Sequence, residues 1–132
     1  MIEKYVIDAY AWIEYLIGSK AGEKVKQILE GENNEVYTCA VTLAEVISKT
    51  AREGQNVEVA YEILTSNSII IDLEQEISKK AGILHAKMRK TRKDFGLADA
   101  YVLATARETE AKILTGDPHF KGVKEAILIS NR

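Results

Sequence analysis

The sequence predicts an α/β fold, namely a three-layer α/β/α sandwich with a mostly parallel central sheet. Short apolar segments of strand length alternate along the chain with longer segments of helical periodicity. The strand segments are continuous apolar runs such as Tyr5–Ile7, which is typical of strands that are buried on both faces. Parallel neighbours need crossover helices, and the helical segments between the strands supply them.

Length and composition predict a single domain over residues 1–132. A chain of 132 residues with 46% hydrophobic content buries about two thirds of its unfolded surface. Its net charge is −2, so any contact with nucleic acid must rely on a local basic patch. The single cysteine, Cys39, excludes an intrachain disulfide and a cysteine-based zinc site. Nowhere are there 18 consecutive apolar residues, so we expect a soluble, cytoplasmic protein without a membrane segment.

The first half of the chain predicts three strands and four helices. The first strand, Tyr5–Ile7, is ended by Asp8, and glycines at 18, 31 and 54 close three of the helices that follow. In chain order, the remaining elements of this half are helices over Ala9–Ile17 and Ala21–Glu30, a strand over Glu35–Cys39, helices over Val41–Glu53 and Val57–Thr65, and a strand over Ile69–Ile71.

The second half predicts two helices and two strands. Leu73–Lys90 is a long helix with one apolar stripe. From Leu97 to Ala106 the only charged residue is Asp99, as expected of a helix that is buried on most sides. The two strands are Lys112–Thr115, followed by turn residues at 116–118, and Ala126–Ile129.

Acidic residues follow these elements at corresponding places. Asp8 ends the first strand, Glu45 lies one helical turn after the second, Asp99 opens a helix, and Asp117 follows another strand. Right-handed crossovers bring the carboxyl ends of parallel strands to one edge, where ligands bind in such folds. We therefore expect the four acids to reach one crevice.

Each acid also has a purely structural interpretation, because capping chemistry favours carboxylates at the same edge. The alternatives are an N-cap at Asp8, a capping box of Thr42 with Glu45, a favourable helix dipole at Asp99, and an Asx turn at Asp117 before Pro118.

Electrostatics favour a bound cation if the acids converge. Two carboxylates about 4 Å apart repel by roughly 4 kcal/mol at an effective dielectric of about 20, so a cluster must take up protons or bind a cation. Oxygen donors without a cysteine or a pair of histidines suit Mg²⁺ or Mn²⁺. Metal-assisted hydrolysis of phosphodiesters is the chemistry most often built in this way.

Three motifs resemble the PIN domain family and, within it, the VapC-type toxins of toxin–antitoxin pairs. They are YVIDAYAWIEYL near the beginning of the chain, the early helical acid of TLAEVISK, and LADAYVLATA leading into ILTGDPHF. The most specific part is the ending Thr115, Asp117 and Phe120 after a D-A-x-x-x-A-T-A helix. The chain departs from the family pattern after Asp8, where many members have Ser or Thr and this chain has Ala9.

The resemblance implies a PIN-like nuclease fold that cuts RNA with one or two Mg²⁺ or Mn²⁺ ions. Carried over to this sequence, the metal ligands and catalytic residues are Asp8, Glu45, Asp99 and Asp117, with Thr115 as a hydroxyl helper near the metal. The products would carry a 5′ phosphate and a 3′ hydroxyl. The family also implies a homodimer and a cognate antitoxin whose helix lies across the toxin and blocks the site.

Other residues are candidates for contact with substrate. A basic run precedes the Asp99 helix, and it is either a solvated helix end or a phosphate-binding surface that includes Arg89, Lys90, Arg92 and Lys93. Tyr10 lies close enough to Asp8 to stack on a base, whereas Trp12 suits core or dimer packing. We interpret His119 as a residue of a surface turn, with substrate contact as the alternative.

Three functions from different classes are compatible with the sequence. The leading one is a metal-dependent endoribonuclease, the toxin of a toxin–antitoxin pair. The second is a catalytically silent PIN-like module that binds RNA or protein. The third is a receiver-type phosphoacceptor or an aspartyl phosphohydrolase, against which the missing D-x-D signature argues, since Tyr10 follows Ala9.

Overall fold

The computed structural model describes all residues from 1 to 132 and contains one five-stranded sheet with six helices. A short 3-10 helix, Pro118–Phe120, lies between the last two strands. In chain order the elements are β1 (Glu3–Ile7), α1 (Ala9–Ile17), α2 (Lys20–Glu30), β2 (Asn34–Cys39), α3 (Ala40–Arg52), α4 (Val57–Asn67), β3 (Ile69–Ile71), α5 (Gln75–Met88), α6 (Leu97–Thr109), β4 (Lys112–Thr115) and β5 (Ala126–Leu128).

The sheet has the strand order β3-β2-β1-β4-β5, and every neighbouring pair is parallel. On the central strand, Val6 is paired with Tyr37 of β2 on one side and with Ile113 of β4 on the other. The predicted mostly parallel sheet is therefore confirmed, with parallel pairing throughout.

Two hydrophobic cores lie on opposite faces of this sheet. Because successive strand residues point to opposite faces, Val6 and Ile113 join one core while Ile7 and Leu114 join the other. The first core is completed by α5 and α6, and the second by α1 to α4. This arrangement confirms the predicted α/β/α sandwich.

Trp12 belongs to the second core and is fully buried. Its indole N–H donates a hydrogen bond to Thr38 Oγ1 at 3.0 Å, so the polar atom of the ring is satisfied inside the protein. Of the two packing roles considered for Trp12, the structure shows core packing.

The chain changes direction in the sheet between β1 and β4. It first runs outward from β1 to β3 with its helices on one face, and then returns to β4 on the other side of β1 with α5 and α6 on the opposite face. In open parallel sheets such a reversal opens a crevice beyond the carboxyl ends of the two strands. Asp8 follows β1 and Asp117 follows β4, so both acids lie at this crevice.

The two edge strands, β3 and β5, are less buried than the sequence predicts. Ile69 in β3 is 54% exposed and Leu128 in β5 is 50% exposed, because each of these strands has a neighbour on one side only. The expectation that strands are buried on both faces is therefore wrong for the two edge strands.

None of the six helices combines the length and apolar character that are needed to span a membrane.

Candidate metal centre

Asp8 lies directly after β1 and is held from three directions. Its backbone N–H donates to the carbonyl of Leu114 at 3.1 Å, which continues the pairing with β4. Its Oδ1 accepts from the N–H of Ala11 at 3.2 Å, and its Oδ2 accepts from the hydroxyl of Thr115 at 2.6 Å. The N-cap interpretation is thus confirmed for Asp8, and the same carboxyl group lies 5% exposed at the mouth of the crevice.

Thr115, the fully buried last residue of β4, connects two of the predicted acids. Its hydroxyl donates to Asp8 and accepts a hydrogen bond from the N–H of Asp117 at 3.0 Å. Asp8 thus has a hydroxyl partner in Thr115, although the residue that follows it directly is Ala9.

Asp117 begins a tight turn at the end of β4. Its Oδ1 accepts from the N–H of His119 at 2.9 Å, and Pro118 occupies the first position of the 3-10 helix. The predicted Asx turn is therefore confirmed. Phe120 is fully buried and packs edge to face on Phe95, with ring centroids 5.9 Å apart, so the turn is anchored in the core.

Asp99 is the third residue of α6, where a carboxylate is favoured by the helix dipole. Its Oδ2 accepts from the N–H of Gly96 at 2.8 Å and lies 3.0 Å from Nδ1 of His119. These contacts orient the carboxylate toward the turn that carries Asp117.

His119 is placed differently from the sequence interpretation. Its side chain is 37% exposed, but Nδ1 lies 3.0 Å from Asp99 Oδ2 and 3.4 Å from Asp117 Oδ1. One donor atom from each of these three residues lies within 4.8 Å of the others. In the sequence, only the position of His119 two residues after Asp117 indicates that it lies near the acids. The direction of its ring depends on the turn and is not visible in the sequence.

Glu45 reaches the same region from the second turn of α3. The residue as a whole is exposed, yet partial burial of its carboxyl group raises its pKa, and the charges of Asp99 and Asp117 raise it further. The predicted capping box with Thr42 is wrong, because α3 begins at Ala40 and Cys39 is the N-cap residue. Thr42 is instead buried, and its hydroxyl has no hydrogen-bond partner.

No Lys or Arg side chain forms an ion pair with any of the four acids. Burial raises the pKa of Asp8 to about 7 despite the hydrogen bonds from Thr115 and Ala11, and the charges of Asp117 and Asp99 add to the rise. The only side-chain nitrogen that contacts any of them is Nδ1 of His119, which lies near Asp99 and Asp117. Unpaired carboxylates around a crevice are a donor set that fits a hard divalent cation.

Tyr10 lies over the turn after β4. Its side chain is 39% exposed, and its ring packs directly on Gly116, where the Cβ of any larger residue would overlap the ring carbons. Gly116 thus lets an aromatic face lie beside the segment that joins Thr115 to Asp117.

The basic run divides into two groups. Arg89, Lys90 and Lys93 are exposed in the segment between α5 and α6 and make no ion pair. Arg92 is instead engaged with the turn, since its Nη1 donates to the carbonyls of Lys121 at 2.6 Å and His119 at 3.3 Å. The predicted phosphate-binding set therefore contains one member with a structural contact.

Several solved structures have the same fold as this chain. A toxin–antitoxin complex from Klebsiella pneumoniae superposes with a TM-score of 0.73 at 22% identity, covering 93% of this chain and 95% of that one. VapBC2 from Rickettsia felis, bound to a DNA fragment from its promoter, gives 0.72 at 18% identity, with coverages of 95% and 96%. VapC20 from Mycobacterium tuberculosis, a toxin that cleaves the sarcin–ricin loop, gives 0.69 at 17% identity, with coverages of 92% and 97%.

No curated protein matches the chain at the level of sequence. The sequence model of the PIN domain, in contrast, matches residues 5–126, which include all four predicted acids, all six helices and the whole of β2, β3 and β4. The chain therefore belongs to the PIN domain family.

Proposed function

We propose that the protein is a divalent-metal-dependent endoribonuclease that hydrolyses RNA phosphodiester bonds with Mg²⁺ or Mn²⁺, as the toxin of a toxin–antitoxin pair. The observation that carries the proposal is the set of carboxylates at the reversal of a PIN-family sheet, without a Lys or Arg residue to neutralise them. Such a set is unfavourable unless it takes up protons or a cation.

Asp8, Asp99 and Asp117 would hold the ion, and Glu45 would hold a second ion or orient the attacking water. A divalent ion bound there makes water a stronger nucleophile at neutral pH and offsets charge on the leaving oxygen. Thr115 keeps the carboxylate of Asp8 in one orientation through its hydrogen bond of 2.6 Å. Gly96 does the same for Asp99 through its N–H.

The remaining predicted residues would bind RNA beside these acids. Exposed Arg89, Lys90 and Lys93 supply positive charge for backbone phosphates, and Tyr10 supplies an aromatic face for a base. We assign Arg92 a smaller share of phosphate binding, because its guanidinium already binds backbone carbonyls.

A toxin role implies a cognate antitoxin protein and a homodimer in the cytoplasm. The support is that the similar solved structures include toxin–antitoxin complexes. An apolar groove of about 530 Å³ between α1, α3 and α4 would suit a helix of such an antitoxin, and Ile17 and Val59 on its walls are 68% and 51% exposed.

The competing function is a catalytically silent PIN-like module that binds RNA or protein. It shares the fold and the basic run, so it differs from the nuclease only in what happens to bound RNA. The acids at all four predicted positions favour the nuclease.

Incubation of purified protein with a panel of structured and single-stranded RNAs, with Mn²⁺, Mg²⁺ or EDTA, tests the proposal. We expect cleavage only with a divalent ion, and products with 5′ phosphates. Asp99→Asn should lower the rate about a thousandfold or more, equivalent to about 4 kcal/mol of barrier. The matched control is Asp94→Asn, because Asp94 is an exposed acid in the preceding loop. Metal-independent cleavage, or RNA binding without cleavage, would contradict the proposal.

A further inference from the structure

His119 lies beside Asp99 and Asp117 and offers the only nitrogen ligand atom of this group. Hydrogen bonds hold its backbone on both sides. Its N–H donates to Asp117 Oδ1, and its carbonyl accepts from Arg92. The next residue, Phe120, is fully buried against Phe95. Three separate anchors therefore hold the backbone from which the imidazole projects toward the acids.

The position of Nδ1 suits a ligand atom. Neighbouring ligands of an octahedral ion lie about 3 Å apart when each is about 2.1 Å from the metal. Nδ1 of His119 is 3.0 Å from Asp99 Oδ2 and 3.4 Å from Asp117 Oδ1, which is close to that spacing. A hydrogen bond from Nδ1–H to Asp99 would give the same distance, so the two roles must be separated by experiment.

We infer that His119 is a metal ligand in this chain, supplying Nδ1 to the divalent ion held by Asp99 and Asp117, and that it makes the centre prefer Mn²⁺ to Mg²⁺. This inference rests on the metal centre of the proposed function. Carboxylates, carbonyls and water suit both Mn²⁺ and Mg²⁺, but Mn²⁺ is a first-row transition metal and binds imidazole nitrogen more tightly than Mg²⁺ does. A nitrogen donor beside two carboxylates therefore favours Mn²⁺ more than a set of oxygens alone.

The chain offers a clean test, because it has two histidines and only one of them is near the acids. Electron spin echo envelope modulation of Mn²⁺ bound to the protein detects a directly coordinated nitrogen. We expect ¹⁴N modulation that changes to the ¹⁵N pattern when the protein is grown with ¹⁵N-labelled histidine. This labelling needs no substitution and does not depend on whether a variant folds.

Two matched variants assign the nitrogen. His119→Phe should abolish the modulation and weaken Mn²⁺ binding about tenfold or more, while Mg²⁺ affinity changes less than about threefold. His85→Phe, in α5, should leave the modulation and both affinities unchanged. Calorimetry with each metal alone gives the affinities.

Bound Mn²⁺ without histidine nitrogen modulation would overturn the ligand role of His119 and leave the metal centre standing. Equal losses of Mn²⁺ and Mg²⁺ affinity in His119→Phe would overturn the preference for Mn²⁺, since a purely structural role would weaken both. Failure of the wild-type protein to bind Mn²⁺ in the first place would overturn both the inference and the proposed function.

Discussion

Asp8 is the residue at which the fold and a charged side chain are most clearly opposed. It caps α1 and accepts from Thr115, so its position is required by the fold. The same burial makes its ionised form unfavourable and raises its pKa to about 7. An ordered, buried carboxyl group of this kind is stabilised in its charged form by a nearby cation.

This conflict predicts the pH dependence of stability of the metal-free protein. The carboxyl titrates near 3.8 when unfolded and near 7 when folded, so between these values the folded state keeps a proton that the unfolded state has lost. The contribution of Asp8 to the free energy of unfolding is therefore present at low pH and falls as pH rises through this window. Over the whole window the loss is on the order of 4 kcal/mol.

Urea unfolding in EDTA at pH 5 and pH 8, with Asp8→Asn as the control, measures this term. Asn can accept the same capping hydrogen bond and carries no charge, so the free energy of unfolding of the variant lacks the pH-dependent contribution of Asp8. We expect the wild-type protein to lose roughly 2–3 kcal/mol relative to the variant between the two pH values. A difference that does not change with pH would show that Asp8 is not buried in a protonated form.

Some side chains of the site could be predicted from the sequence, and others could not. Asp8 and Asp117 follow apolar runs that are recognisable as parallel strands, so the sequence predicts that both lie at the carboxyl edge of the sheet. The contact of His119 with Asp99 depends on the turn after Asp117, and Arg92 binds carbonyls that are 27 and 29 residues away. No pattern of residue types along the chain encodes such contacts.

At the scale of elements, all eleven helices and strands were predicted, and the errors lie at their ends. The predicted helix Leu73–Lys90 is shorter in the structure, Gln75–Met88. The predicted helix Val41–Glu53 begins one residue earlier in the structure, at Ala40, because it follows β2 without a loop. The capping box considered for Thr42 and Glu45 is wrong for the same reason. A sequence motif that fits a cap does not reveal where the preceding strand ends.

The packing of α1 on α2 depends on Gly22, and this gives a matched pair of glycine substitutions. A Cβ at Gly22 would overlap the backbone of Glu14 and Tyr15, which cannot rotate away. Gly82 in α5 has open space around the same position. We expect Gly22→Ala to lower the free energy of unfolding by about 1–3 kcal/mol and Gly82→Ala to raise it by about 0.5–1 kcal/mol. Urea denaturation of both variants measures these changes, and similar effects at the two sites would contradict this packing.

At the scale of the whole molecule, a net charge of −2 requires that RNA binding be local. The exposed basic residues Arg89, Lys90 and Lys93 lie in the segment that leads into α6 and Asp99. Phosphate contacts release counterions, so they are visible in the salt dependence of binding.

Replacing these three residues together with Gln should flatten the salt dependence of RNA binding by about 2 units of log–log slope, or about 0.7 per contact with a single strand. Fluorescence anisotropy in the Asp99→Asn background measures binding without cleavage. The variant with the three Gln replacements and an intact Asp99 should bind Mn²⁺ with unchanged affinity. The control is Lys24→Gln with Lys26→Gln, two exposed lysines of α2 in the layer opposite α5 and α6. An equal effect of the control pair would show that binding depends on overall charge.

The order of the strands explains why distant segments of the chain supply one site. Asp8 and Thr115 are 107 residues apart in sequence, and they meet because β1 and β4 are neighbours at the reversal of the sheet. Alternation of strands and helices predicted a parallel sheet, but it did not predict which strands are neighbours. That information depends on the packing of the two helical layers.

The proposed function requires that the carboxylates at this reversal hold a divalent ion. Anomalous diffraction from crystals soaked in Mn²⁺ would locate such an ion. We expect a peak beyond the carboxyl ends of β1 and β4, within about 2.5 Å of carboxylate oxygens of Asp99 and Asp117. Absence of a peak there at saturating Mn²⁺, or a peak only on another face of the protein, would rule out this metal centre.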